Sequence, residues 1–481
     1  MTPPRRQAAL GLALFASALN ALAAGPDRTK APATGPLPPL HFPKVQKLAL
    51  SNGIPVLFVE RHAVPLLQLD VVLRAGASAD PAERPGLASL TAEMLDRGAG
   101  GRSALDISDA VDTLGAELNA SAGWDATTVE FNVPAANAGD AIALLSDLAR
   151  RPTFPAEEIE RVRKERLTAL LQRRDQPPAL ASLALARALY GTHPYGRSPD
   201  GTEASMKAVT REDLRGFHAR LYAPGNVAII AVGDTTAQRL LPDLEKAFGS
   251  WAPARAESAA VVPPAAAPQV SKREIWLVDK PGAAQSEIRI ARIGPPRATP
   301  RYFPLLVANT VLGGSFTSRL NHNLRTEHGY AYGAYSRFDF RLSTGPFFAG
   351  AAVQTDKTAP ALTEFFKELA GIAAISPEDL RKAKSYVALR YPAGFETTDQ
   401  IAGKLAERVI YSLPDDYFDS YLARVEAVTT EQVARAAAAE IDPKRVVLIV
   451  VGDATKIEKP IGALNLGPIR KLGIEALFRP R

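Results

Sequence analysis

One stretch of this chain occurs twice. Pro224-Gly225-Asn226-Val227-Ala228-Ile229-Ile230-Ala231-Val232-Gly233-Asp234 returns 219 residues later as Pro443-Lys444-Arg445-Val446-Val447-Leu448-Ile449-Val450-Val451-Gly452-Asp453. The same offset carries Val59-Glu60 onto Val278-Asp279 and Thr210 onto Thr429. An offset that holds at both ends of a unit marks a duplicated domain, because a chance likeness has no reason to keep register over so long a span. The chain has to fold twice into one architecture.

The local patterns say which architecture. Leu48 to Ser51 and Ile54 to Glu60 flank Asn52-Gly53, a turn pair that joins antiparallel strands. Leu67, Leu69, Val71 and Leu73 alternate as a half-buried strand does, and so do Val129, Phe131 and Val133. Val227 to Val232 is a continuous apolar strand. Leu87 to Leu95, Ile107 to Leu114, Ala138 to Arg150 and Glu157 to Arg174 read as helices. Hairpins mixed with long helices predict an α+β fold of two homologous domains, each an antiparallel sheet with helices packed on one side.

Composition matters where it excludes partners. The chain is 46% hydrophobic and 22% charged, the balance of an ordinary globular protein. Its net charge of +6 is spread out, with no lysine-arginine block and no interleaving of aromatic with basic residues, which argues against nucleic acid. Arg5-Arg6, the short apolar run from Ala8 to Leu22 and the small-x-small site Ala21-Leu22-Ala23 read as an export signal. That run is short of the roughly 20 residues that span a bilayer, and no membrane span is expected in the mature chain. The chain has no cysteine, which fits export to a bacterial periplasm without disulfides. Pro/Ala-rich segments then divide the chain. The expected layout is a signal peptide (1–24), an extended leader (25–43), a first domain (44–252), a linker (253–272), a second domain (273–460) and a tail (461–481).

Several blocks then fall in a telling order. Gly86-Leu87-Ala88 opens a helix; Leu114-Gly115-Ala116-Glu117-Leu118-Asn119-Ala120 and His193-Pro194-Tyr195-Gly196-Arg197 follow. The second half carries Leu312-Gly313-Gly314-Ser315-Phe316-Thr317-Ser318-Arg319-Leu320, Leu324-Arg325, Gly329-Tyr330-Ala331-Tyr332, Pro377-Glu378-Asp379-Leu380 and Ala383-Lys384. With two homologous halves and Val-Gly-Asp strand ends, nearly the whole mature chain resembles the pitrilysin/insulinase family of zinc peptidases. The resemblance implies the fold shared by mitochondrial processing peptidase and insulinase.

The departures from that family are as informative as the matches. Its zinc helix carries His-x-x-Glu-His, in which two histidines on one helical face grip the metal and the glutamate activates water. Here Ser89 stands for the first His, Ala92 for the Glu and Glu93 for the second His. On the later helix the resemblance places Ala169 at the third ligand and Val162 at a supporting Glu. No metal is therefore expected in this chain. His322, Glu327 and His328 come nearest to a ligand cluster, but the two histidines are six apart and do not share a helical face, which predicts a surface loop.

The other half of the family's site is kept. The resemblance assigns an Arg and a Tyr seven residues apart to completion of the zinc site from the second domain, and Arg325 and Tyr332 have that spacing. A phenol can donate to a developing oxyanion, and a guanidinium can hold a peptide carbonyl or carboxylate. The resemblance also marks Asn119 and Ala120, on an edge strand that pairs with peptide, and Gly313 and Gly314 as substrate-binding positions. No Gly-Lys-Ser/Thr follows Gly313-Gly314, so a tight turn is expected there and not a phosphate loop. Half-size members that work in pairs imply a partner: a homologous zinc peptidase subunit carrying His-x-x-Glu-His, with the zinc in that partner and peptides as substrates. A catalytically inactive structural or peptide-binding protein is the alternative.

Overall fold

The computed structural model describes Thr29, residues 42–252 and residues 261–478. The expected signal peptide, all of the leader except Thr29 and residues 42–43, and residues 253–260 of the linker lie outside the described residues. The first sheet comprises β1 (Gln46–Ala49), β2 (Pro55–Glu60), β3 (Leu66–Leu73), β4 (Glu117–Ala122), β5 (Thr127–Pro134) and β6 (Val227–Gly233), in the order β1-β2-β6-β3-β5-β4. The second comprises β7 (Glu274–Asp279), β8 (Gln285–Ile293), β9 (Ala331–Phe338), β10 (Pro346–Gln354), β11 (Val447–Gly452) and β12 (Ile469–Gly473), in the order β9-β10-β8-β11-β7-β12. The duplication is visible strand by strand. β2 and β7 are related by the 219-residue offset at both ends, as are the helices Arg211–Leu221 and Thr430–Glu440.

Strand alternation sets the layers. Leu67, Leu69, Val71 and Leu73 of β3 point into the first core, with Phe131 of β5, Ile229 of β6 and the helical Leu87, Leu90, Leu145 and Leu148. Ile288 and Ile290 of β8 face an equivalent core with Leu448, Val450, Phe365 and Val433. The sheets depart from the all-antiparallel expectation at one seam in the first and two in the second: β2 runs parallel to β6, and β7 runs parallel to both β11 and β12. The helical excursion between β5 and β6 is long enough for such a crossover. The outer edges differ too. The first sheet is finished by the β1–β2 hairpin, the second by β12, which pairs with β7 in parallel. The segment expected as a tail therefore belongs to the fold. The helix Ala454–Ala463 runs across the expected boundary, and Leu477 is buried.

Helices were expected on one face of each sheet, but both faces are covered, because the halves exchange helices. Leu180, Ala181 and Ala184 of the helix Pro177–Tyr190 pack on Trp276, Val278, Ala291 and Ile449 of the second sheet. The helix Thr398–Tyr411 lies in return against β3 and β6 of the first. The Pro194-Tyr195-Gly196 stretch latches the halves together. The buried Tyr195 hydroxyl donates to Asp125 (2.6 Å) and accepts from the Ser343 N–H (3.2 Å), while Asp125 also accepts from the Leu342 N–H (2.8 Å). The Arg341 guanidinium stacks on Trp124 and Tyr195. Among the described residues, no helix is long and apolar enough to cross a membrane.

Candidate functional site

The helix Leu87–Glu93 opens at Gly86, whose φ of 89° suits glycine, and Asp80 caps it. The Asp80 carboxyl accepts from the Gly86 and Ala88 N–H groups at 2.7 and 2.8 Å; burial nevertheless pushes its pKa up to about 7. Leu87, Ala88 and Leu90 anchor the helix in the first core. Ser89 and Glu93, four residues apart, share one of its faces. Ala92 is fully buried.

The space between Ser89 and Glu93 belongs to an arginine that sequence reasoning missed. Arg166, on the helix Ala156–Gln172, donates from Nε to the Glu93 carboxylate (2.6 Å) and from Nη2 to the Ser89 hydroxyl (3.0 Å). Its side chain is 14% exposed. Ala169 follows on the same helical face and is exposed. These residues do not fit zinc. Ala92 and Ala169 offer no donor, and the Glu93 carboxylate is already held by a cation. Among the described residues, no group of three or more His, Asp or Glu side chains is placed to hold a metal. One signal was available beforehand: a carboxylate at a former ligand position and an arginine one turn from another suggest charge compensation.

The exchange predicts a structural role for Arg166. Arg166→Met keeps the stem and removes the guanidinium, so it is expected to cost about 1–3 kcal/mol, the usual range for charge-assisted hydrogen bonds. A fall in the denaturant midpoint of unfolding would show this. A midpoint equal to wild type would mean that the guanidinium only occupies the gap.

The second constellation is built at the edge of the other sheet. Arg325 lies in a single π-helical turn, His322–Glu327, where a surface loop was expected. Such turns recur at functional sites because they rotate a side chain out of helical register. Tyr332 lies on edge strand β9 where the pairing with β10 slips between Ala331 and Ala334. A bulge of this kind re-aims a side chain, and Tyr332 is 89% exposed. The Arg325 guanidinium carbon stands 5.1 Å over the Tyr332 ring. Gly313 lies against β9, with its carbonyl accepting from the Ser336 N–H at 3.1 Å. A Cβ on Gly313 would come within 2.2 Å of that nitrogen, so the glycine allows a tight turn. A Cβ on Gly314 would come within 2.6 Å of the Asn309 side-chain amide. The two histidines part company: His322 faces Glu327 at 3.3 Å, and His328 stacks on Tyr330.

Asn119 and Ala120 lie on β4, the terminal strand of the first sheet. Asn119 turns across the sheet to donate to Glu130 at 3.1 Å, and Ala120 is half-buried. A cavity of about 670 Å³ opens beside this strand, lined in part by Gln68, Glu117, Asn119, Glu130 and Asp399. Among the described residues, no hydrogen bond, ion pair or ring contact joins the Ser89–Glu93–Arg166 cluster to the Arg325–Tyr332 pair.

Comparison with known proteins places the fold in a family. Residues 56–203 match the model of the Insulinase (Peptidase family M16) domain, and residues 208–387 match that of the Peptidase M16 inactive domain. An uncharacterized zinc protease of Mycobacterium leprae is 27% identical, over 81% of this chain and 87% of its own. A protein of Helicobacter pylori described as a non-peptidase homolog is 23% identical, over 79% of this chain and 87% of its own. Among solved structures, a peptidase M16 inactive domain from Pseudomonas fluorescens superposes with a TM-score of 0.79 at 28% identity, covering 85% of this chain and 98% of that one. The chain belongs to the pitrilysin/insulinase family of peptidases, as a peptidase-like member without the zinc motif.

Proposed function

We propose that this chain is the non-zinc subunit of a heterodimeric insulinase-type metallopeptidase in a bacterial periplasm. It supplies Arg325 and Tyr332 to a zinc site on a homologous partner that carries His-x-x-Glu-His, and it helps to enclose peptide in a chamber. One observation carries this reading. Tyr332 is 89% exposed and, among the described residues, makes only a ring contact with Arg325, while the chain's own former metal positions are occupied by Arg166. A phenol and a guanidinium held toward solvent, with no acceptor among the described residues, are suited to a reaction centre elsewhere. In the partner, zinc would polarise the scissile carbonyl. Tyr332 would donate to the oxygen as it gains charge, and Arg325 would hold a neighbouring carbonyl or carboxylate. The free edge of β4 and the cavity beside it support a peptide lying in extended form along Asn119 and Ala120.

Two measurements test the pairing. After dialysis the purified chain should hold no stoichiometric zinc and cleave no peptide. Co-expressed with a half-size homologue bearing His-x-x-Glu-His from the same genome, it should elute in size-exclusion chromatography as a one-to-one complex with chelator-sensitive peptidase activity. A chain that carries one tight zinc and hydrolyses peptide alone overturns the division of labour. A chain that stays monomeric beside the homologue at micromolar concentration overturns the partnership.

A further inference from the structure

Among the described residues, Phe316 is one of the few large apolar side chains left in solvent, at 69% exposure. It belongs to neither core. It sits at the tip of the Gly313-Gly314-Ser315 turn, and its ring lies 4.6 Å from the Arg325 guanidinium carbon. The guanidinium therefore bridges two exposed aromatics, Phe316 and Tyr332. Arg325 makes no hydrogen bond or ion pair with the described residues, so its N–H edge is free. Three separate devices converge here: a π turn carries Arg325, a bulge carries Tyr332, and a two-glycine turn carries Phe316.

The buried Asn321 ties these devices together. Its amide Nδ2 donates to the Phe316 carbonyl at 2.6 Å, and its Oδ1 accepts from the Ala334 N–H at 3.1 Å, just past the bulge. One side chain thus fixes the turn that holds one ring against the strand that holds the other. Ser315 secures the turn from below, its hydroxyl donating to the Thr310 carbonyl at 3.2 Å. Such bracing of an exposed loop around an exposed phenylalanine serves no core.

We propose that Phe316 is a positioning residue. Together with Tyr332 it holds the Arg325 guanidinium by its flat faces, so that the N–H edge points outward to a peptide carbonyl or carboxylate oxygen, and Asn321 sets the spacing of the two rings. Ring faces attract a cation without using its N–H donors, so the clamp orients the group and leaves its hydrogen-bonding capacity free. A carboxylate in place of the rings would have consumed that capacity. The proposal rests on the reading of Arg325 as a peptide-holding group in the assembled pair.

The test has two arms. In the free chain, the Arg325 Nε–H resonance is assigned by its loss in Arg325→Gln. The ring currents of its neighbours should displace it from the position of a solvated arginine. Phe316→Leu, which keeps an apolar side chain at an exposed position, should move the resonance towards that position; Phe316→Tyr should leave it in place. In the reconstituted pair, Phe316→Leu should lower kcat/KM about 2–5-fold, the worth of one exposed cation–π contact. Phe316→Tyr should restore the wild-type value. A resonance unmoved in Phe316→Leu overturns the clamp whether or not the pair is active. A moved resonance with unchanged kcat/KM in an active pair overturns the positioning role. A wild-type pair without peptidase activity counts against the subunit reading instead, and the resonance still decides whether the clamp exists.

Discussion

Replacing Tyr332 with Phe in the assembled pair is expected to lower kcat by about 10²–10³-fold. The change removes one hydroxyl and almost no volume. Tyr332 is 89% exposed, and its ring contact with Arg325 survives in phenylalanine. The free chain should therefore unfold within about 0.5 kcal/mol of wild type, and assembly should survive. What disappears is a donor aimed at charge that develops in the transition state, a contribution of about 2.7–4 kcal/mol where such donors have been removed. The Michaelis constant should change far less, because the contact strengthens mainly at the transition state. Arg325→Ala should change both parameters, since a guanidinium that holds bound peptide acts in the ground state as well. Steady-state kinetics on the pair decide the matter. If Tyr332→Phe stays within about twofold of the wild-type kcat in an intact complex, the phenol is surface decoration and the complementing mechanism fails at its centre.

Much of the fold was legible because duplication gave each pattern a second witness. The apolar runs Val227–Gly233 and Val447–Gly452 are strands in the structure, and the Asn52-Gly53 pair turns a hairpin. What escaped depended on contacts between distant segments. Which strand closes each outer edge is decided by packing, so β12 looked like a tail. The parallel seams follow from where β6 and β11 re-enter, and a one-dimensional pattern of periods does not record that. The exchange of helices between halves was hidden for the same reason.

The candidate site shows the same division. The losses at Ser89, Ala92, Glu93 and Ala169 could be read by position, because each is a substitution within a known spacing. What replaced them could not, because Arg166 reaches Ser89 and Glu93 across 77 and 73 residues with no fixed spacing to betray it. The spacing of Arg325 and Tyr332 was visible, yet the π turn and the bulge that expose them are backbone irregularities without a residue signature. In the sequence Phe316 is one residue of the block 312–320 with nothing to set it apart. Only its exposure and its place over Arg325 give it a part of its own.

The exchanged helix has one further expected consequence, at Asp70. This residue lies on β3, on the face covered by Thr398–Tyr411, and is 3% exposed. Gln68 donates to it at 2.6 Å. Burial pushes its pKa from 3.8 up to about 7 against the pull of that hydrogen bond, and the carboxylates of Glu130 and Asp399 push the same way. The sign of the effect follows from which state holds the proton. Below pH ~4 the group is neutral in both folded and unfolded chains, and burial carries no charge penalty. Between pH ~4 and ~7 the folded chain keeps a proton that the unfolded chain releases, so this contribution to stability falls as pH rises. Above pH ~7 the folded chain carries a buried carboxylate and the contribution is lost. At ~1.36 kcal/mol for each tenfold change in acidity, the displacement is worth about 4 kcal/mol. Asp70→Asn mimics the protonated group and can still accept from Gln68. It is expected to stabilise the chain by about 3–4 kcal/mol at pH 8–9 and to change little at pH 4, as read from denaturant unfolding at the two pH values. A gain that is equal at both pH values would trace to packing, and a loss at pH 8–9 would mean that the carboxylate is ionised and satisfied beneath the helix. The helix Thr398–Tyr411, packed on β3, helps to keep water from Asp70, so the gain depends on that helix staying docked on the first sheet.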